Sequence, residues 1–157
     1  MLSQKTLVML LGYDPSERPD MPLPKNQPHV TLAYTKHLWV AQEKQKAYQK
    51  LSQFVAEYTH SEPSDDVTIE EKKRLLARCY LKLGAWQEVL EGINETSIPF
   101  ILKCYKQATE HDPQWYKAWH AWAYMNFETV LYYNHQEEKT HYTVLAVQGL
   151  RCGVNNF

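Results

Sequence analysis

Glycine and proline, the residues that most often interrupt helices, are scarce in this chain outside one short stretch. The 157 residues include five glycines, and five of the eight prolines lie between Pro15 and Pro28. So few turn-forming residues favour long helices joined by short loops. No stretch shows the period-two alternation that is typical of a strand. The sequence therefore predicts an all-α fold.

The first part of the chain combines a short helix with a proline-rich segment. Residues 3–11 are largely apolar, and Gly12 stands where a glycine commonly ends a helix. Residues 13–28 carry proline at nearly every third position, which excludes a helix there. We expect a helix over residues 3–11 and an extended connector over residues 13–28.

The next stretch has apolar residues at helical spacing. Four of them recur every seven residues: Tyr34, Ala41, Tyr48 and Val55. Glutamine, glutamate and lysine fill the opposite face, as in an amphipathic helix. This pattern predicts one long helix over residues 29–58 and a polar loop over residues 60–67.

Helix-capping residues mark the elements that follow. Thr68 and Glu71 form a T-x-x-E capping box at the start of a helix that Gly84 is expected to end. The predicted inner face of this helix consists of Ile69, Leu76, Tyr80 and Leu83. We expect a separate helical turn over residues 86–90 and a break at Gly92.

Two longer helices are predicted next. Ser97 is expected to cap a helix that stops near His111. Asp112 and Pro113 supply an N-cap and a first-turn proline for a helix that continues to about Gln136. A last apolar stretch covers residues 142–150.

The helix after Pro113 is apolar around much of its circumference. Trp115, Trp119 and Trp122 form one stripe, and a second stripe beside it contains Tyr116, Ala123, Phe127 and Leu131. Such a pattern favours an inner helix and core packing over a ligand cage. Residues 76–110 and the residues from 111 onward are offset by about 35 positions, close to the tetratricopeptide period. The chain therefore reads as an α-solenoid of tetratricopeptide-like hairpins.

Composition and motifs argue against several functional classes. Seventeen Lys and Arg residues against 18 Asp and Glu give a net charge of −1, which provides no reason to expect nucleic acid as a partner. Three cysteines show no metal spacing and fit a reducing compartment, and no apolar run is long enough to insert into a membrane. No phosphate-binding loop, nucleophile elbow or kinase signature occurs. We predict no catalytic residue and no metal ligand in these residues.

One group of basic residues is a candidate binding site. Arg78 and Lys82 are four residues apart and share a helix face, and Lys117 follows Lys82 by about one repeat. Stacked hairpins would bring the three cations to one surface. The alternative is that carboxylates such as Glu110 or Asp112 pair with them, and spacing alone favours that alternative.

Several runs of residues give the chain a more specific identity. They are L-A-R-C-Y-L-K-L-G-A-W-Q at 76–87, G-I-N-E-T-S-I-P at 92–99, the tryptophan-rich run at 108–128, and shorter runs at 5–16, 33–39 and 142–149. Together they resemble the FAT domain of the target-of-rapamycin (TOR) kinases, which are phosphatidylinositol-3-kinase-related Ser/Thr protein kinases. The resemblance covers nearly the whole chain. It divides the chain into a partial FAT domain over residues 1–150 and a tail over residues 151–157 that does not follow the family.

The resemblance implies a non-catalytic α-solenoid of tetratricopeptide-like and HEAT-like hairpins that clamps and supports a kinase domain. Its partners would be the kinase domain, the remaining FAT repeats and the TOR-complex subunits. In this family a basic pocket binds an inositol polyphosphate, inositol hexakisphosphate, as a structural ligand, and the matching residues here are Arg78, Lys82 and Lys117. Val40 stands where the family has a pocket lysine, and other pocket residues are expected upstream of Met1, so we expect weak binding.

The resemblance also implies a location in the cytoplasm, with the lysosomal surface or the nucleus as further sites. A different class of function stays open. A free-standing tetratricopeptide-like adaptor would bind a peptide or helix in its groove.

Overall fold

The computed structural model describes residues 4–14, 17, 27–134 and 139–155. Within these ranges the chain forms helices and no strand, which confirms the all-α prediction. The helices are α1 (Gln4–Leu11), α2 (Pro28–Val40), α3 (Lys44–His60), α4 (Ile69–Glu91), α5 (Ser97–His111), α6 (Tyr116–Tyr132) and α7 (Lys139–Asn155). Most of the proline-rich connector, and Gln136, lie outside the described residues.

The chain divides into two compact units, Met1–Tyr58 and Thr59–Phe157. In the first unit α1 packs on α2, and Leu7, Tyr34 and Leu38 are buried. Gly12 ends α1 as predicted. Its φ is +74°, and its amide donates to the Val8 carbonyl oxygen at 2.8 Å.

The single helix predicted over residues 29–58 is wrong, because the chain turns between α2 and α3. The Glu43 amide donates to the Leu38 carbonyl at 3.0 Å, and the Gln42 amide donates to the Trp39 carbonyl at 3.2 Å. Gln42 has a φ of +68°. These two bonds around a left-handed residue form a Schellman motif, which closes the end of α2. The sequence did not indicate this break, because the left-handed position is occupied by glutamine and not by the usual glycine.

The second unit starts with the predicted capping box. The Glu71 amide donates to Thr68 Oγ1 at 3.2 Å, and the Thr68 amide donates to Glu71 Oε2 at 2.9 Å. The predicted end at Gly84 is wrong, because α4 runs on to Glu91 and includes the turn expected at residues 86–90. Gly92 ends it, with a φ of +71°. Ile69 is 60% exposed and does not belong to the inner face.

Gly84 serves close packing between α4 and α5. A Cβ atom at Gly84 would lie 2.5 Å from Cε1 of Tyr105. The Tyr105 ring is buried in a core with Ile98, Ile101 and Met125. The ring therefore occupies the volume that any other residue at position 84 would fill.

The starts of α5 and α6 differ from the predicted ones. Ser97 was predicted to cap α5, but Asn94 does so. Its Oδ1 accepts hydrogen bonds from the Thr96 and Ser97 amides, both at 2.9 Å. Asp112 and Pro113 form a turn instead of the first turn of a helix, and α6 begins three residues after Pro113, at Tyr116. This difference moves Trp115 out of the helix and into its N-cap position.

Successive helices of the second unit pack on one another in chain order. The packed neighbours are α4 with α5, α5 with α6, and α6 with α7, as in an α-solenoid. Small residues allow the last contact, since a Cβ atom at Gly149 would lie 2.9 Å from the Cβ atom of Ala123. Among the described residues, no helix combines the length and apolar content that crossing a bilayer requires.

Candidate anion-binding surface

Arg78 is held between two helices of the second unit. It is exposed on α4, and its guanidinium carbon lies 5.1 Å from the centre of the Trp115 ring, at the N-cap of α6. Its Nη1 donates to the Arg74 carbonyl at 3.2 Å. A guanidinium over an indole face is a cation–π contact. This contact brings Arg78 to the residue at the N-cap of α6.

Lys82 lies one turn after Arg78 and is half-buried. Its ammonium lies 5.7 Å from the centre of the Trp86 ring, and Trp86 is buried in the second unit. The aliphatic part of such a lysine covers apolar surface while the charge stays near water. Both predicted cations of α4 are therefore oriented by tryptophan rings.

Lys117 is exposed in the first turn of α6, two residues after Trp115. That turn contains no acidic residue. Helix N-termini carry partial positive charge, so the lysine adds to a field that favours an anion. Trp115 thus connects Arg78 with the part of α6 that carries Lys117.

One of the two carboxylates expected to compete for these cations, Glu110, is engaged within its own helix. Glu110 Oε1 lies 3.9 Å from the ammonium of Lys106, and its Oε2 accepts from Gln107 Nε2 at 3.0 Å. Both partners are on the same helix as Glu110. Pairing of Glu110 with the basic group is therefore not the arrangement that the structure shows.

The tryptophan stripe has two different surroundings. Trp119 and Trp122 contact each other edge to face, with ring centres 5.9 Å apart, and Trp119 Nε1 donates to the Pro113 carbonyl at 2.7 Å. Trp115 instead contacts Arg78. The sequence shows a tryptophan two residues before Lys117, but it does not show that the ring of this tryptophan contacts Arg78.

The second predicted stripe of α6 is largely uncovered in the described residues. Phe127 and Leu131 are each 51% exposed, and Ala123 is buried. Beside them a cavity of about 300 Å³ lies between α6 and α7, lined by residues that include Tyr124 and Val147. Its lining is mostly apolar, and His120 is its one imidazole among the described lining residues.

Val40, which is expected at the place of a pocket lysine of the family, lies at the end of α2 in the first unit and is 69% exposed. The described ranges contain no cluster of three or more histidine, cysteine, aspartate or glutamate side chains that could hold a metal ion.

The three thiols differ in burial, and we expect their reactivity to differ accordingly. Burial raises the pKa of Cys79 and of Cys104 to about 12, whereas Cys152 is half-buried. Because the thiolate is the reactive form, Cys152 should react first with Ellman's reagent at pH 8, and the other two only on opening of the fold. All three should react rapidly in guanidinium chloride. Equal rates for the three thiols in the native chain would contradict this assignment.

Comparisons with known proteins agree with the helical architecture. A family model described as the FAT domain matches residues 1–152. The chain is 48% identical to the serine/threonine-protein kinase mTor of Drosophila melanogaster over 82% of its length. It is 37% identical to the serine/threonine-protein kinase tor1 of Schizosaccharomyces pombe over 94% of its length, and 33% identical to the serine/threonine-protein kinase TOR of Arabidopsis thaliana over 98%.

The chain covers only 5% of the Drosophila kinase and 7% of each of the other two. The matched region is the FAT domain, a helical and non-catalytic part of these kinases. The match across residues 1–152 and the consecutive packing of helices lead to the same assignment. The chain belongs to the FAT domain family.

Proposed function

We propose that this chain acts as a scaffold segment of a TOR-like serine/threonine protein kinase in growth and nutrient signalling. The observation that carries the proposal is the FAT match over residues 1–152 together with the similarity to serine/threonine-protein kinases. Its proposed role is structural: the packed hairpins support the kinase domain and present surfaces to the other subunits of the complex. We propose the cytoplasm as its location, with the lysosomal surface or the nucleus as further sites.

The uncovered apolar side of α6 fits such a role. Tyr124, Phe127 and Leu131 are all more than half exposed, and large exposed apolar patches commonly mark contact surfaces. A free-standing adaptor could also use this surface. The kinase segment is favoured because the relatives that match most of the chain are long kinases.

We further propose that Arg78, Lys82 and Lys117 form part of a site for an inositol polyphosphate, with inositol hexakisphosphate as the structural ligand. Two of these cations are oriented by tryptophan rings, and Arg78 contacts the N-cap residue of α6, whose first turn carries Lys117. Cations at a helix N-terminus, with Lys82 one turn after Arg78 on α4, suit a ligand that carries many phosphates.

A charge-reversal experiment tests this site. Lys82→Glu combined with Lys117→Glu should abolish the rise in melting temperature that inositol hexakisphosphate causes in the wild-type chain, because two attractive charges become repulsive. Differential scanning fluorimetry at low ionic strength measures the shift, since screening weakens exposed charges.

The matched control is Lys103→Glu with Lys106→Glu, which makes the same charge change at exposed positions of α5. This control should keep most of the shift. Equal shifts in the two double variants would remove Lys82 and Lys117 from the site.

A further inference from the structure

The contact between Arg78 and Trp115 joins side chains from two helices that are far apart in sequence. Arg78 is exposed on α4, and its guanidinium carbon lies 5.1 Å from the Trp115 ring centre. The Nη1 bond to the Arg74 carbonyl, 3.2 Å long, fixes a second point of the same group. An exposed arginine is thus held in one place by a ring and a carbonyl.

Stacking restrains a guanidinium without using up its donors. The five N–H groups of arginine lie around the edge of a planar group, so a ring on its face leaves most of them available to an anion. A free arginine loses rotamer entropy when it binds. A guanidinium that is already restrained loses less of this entropy, and its affinity for phosphate is higher for that reason.

Trp115 also determines the position of Lys117, the third cation of the site. It occupies the N-cap of α6, and its carbonyl accepts the Ala118 amide at 3.0 Å, so the turn that carries Lys117 starts from this residue. One residue therefore touches Arg78 with its ring and begins the turn of Lys117 with its backbone.

We propose that Trp115 is a positioning residue of the polyphosphate site, whose indole holds the Arg78 guanidinium so that its remaining N–H groups can donate to phosphate. This inference rests on the proposed binding of inositol hexakisphosphate. Trp115 does not touch the ligand in this account; it acts through Arg78.

The test is titration calorimetry of the full chain with inositol hexakisphosphate. Trp115→Leu removes the ring face and should weaken binding about two- to fivefold, the range expected for an exposed cation–π contact. Trp115→Phe keeps a ring face and should lie between leucine and tryptophan. In an Arg78→Ala background, Trp115→Leu should change the affinity no further, because the residue that it positions is absent.

Trp122→Leu is the matched control, since Trp122 lies on α6, the helix that Trp115 precedes, and packs against the core of the second unit. It should lower the melting temperature and leave the affinity of the folded chain unchanged. Equal weakening by Trp115→Leu with and without Arg78 would overturn the positioning role, as would no weakening at all. If the wild-type chain itself binds no inositol hexakisphosphate, the proposed ligand is wrong and the positioning role falls with it. The wild-type titration, read before any variant, distinguishes that failure from the others.

Discussion

Replacing Gly84 with leucine should lower the free energy of unfolding by about 3 kcal/mol, since overpacking a filled core forces side chains and backbone to shift. The first added atom would lie 2.5 Å from Cε1 and 2.8 Å from Cδ1 of Tyr105. That ring is buried among Ile98, Ile101 and Met125 and has little room to move. Urea unfolding followed by tryptophan fluorescence reports chiefly on the second unit, which contains Trp86, Trp115, Trp119 and Trp122.

Ala85→Leu is the control for this prediction, because Ala85 is the next residue of α4 and is exposed. Leucine there should change stability by less than about 0.5 kcal/mol, as exposed substitutions usually do. Similar unfolding midpoints for the two leucine variants would contradict the close approach of α4 and α5.

A double-mutant cycle identifies Tyr105 as the obstacle. Gly84→Ala removes the entropic cost of a helical glycine, a gain of up to about 1 kcal/mol, but meets the ring. In the wild-type background the steric cost of this clash should exceed the gain in helix propensity, so the variant should be less stable than the wild-type chain. In a Tyr105→Ala background the same change should become neutral or stabilising. An unchanged sign in the two backgrounds would exclude the ring as the cause.

The second large effect is expected at the contact between α6 and α7. An alanine at Gly149 places its Cβ atom 2.9 Å from the Ala123 Cβ atom and 3.1 Å from the Ala123 Cα atom. Because one of these atoms belongs to the backbone, the two helices must separate. An alanine at Gly153 meets its nearest neighbour, Trp119 Cβ, at an ordinary 3.4 Å.

We therefore expect Gly149→Ala to destabilise the chain and Gly153→Ala to be neutral or stabilising. The two variants should differ by about 2 kcal/mol, which combines the packing strain at one site with the helix propensity gained at both. Urea unfolding of the pair measures this difference directly. Equal stabilities, or a less stable Gly153 variant, would show that α6 and α7 do not pack closely through Gly149.

Local capping chemistry predicted several helix ends well. These caps depend on hydrogen bonds between residues that are close in sequence, so they can be predicted from the sequence. They are the capping box of Thr68 and Glu71 and the glycine ends at Gly12 and Gly92. The end of α2 was missed because its Schellman closure uses Gln42 in place of glycine. Gly84 was misread for the opposite reason: its absent side chain makes room for Tyr105, and no cap is formed there.

The candidate site was predictable to the extent that it follows helix geometry. Four-residue spacing placed Arg78 and Lys82 on one face, as the structure has them. The ring that Arg78 contacts belongs to a helix two elements later, and its position depends on how α4, α5 and α6 pack. A pattern along one helix contains no information of that kind, so the role of Trp115 needed the structure.

The order in which α4 to α7 pack has a kinetic consequence. Each helix of the second unit rests mainly on its neighbour in sequence, and contacts between such neighbours require only short loops to close. Chains rich in local contacts fold fast, and their hairpins can form in the order in which they leave the ribosome. The helices α4 to α7 are therefore expected to form one after another during synthesis, each on the helix that precedes it.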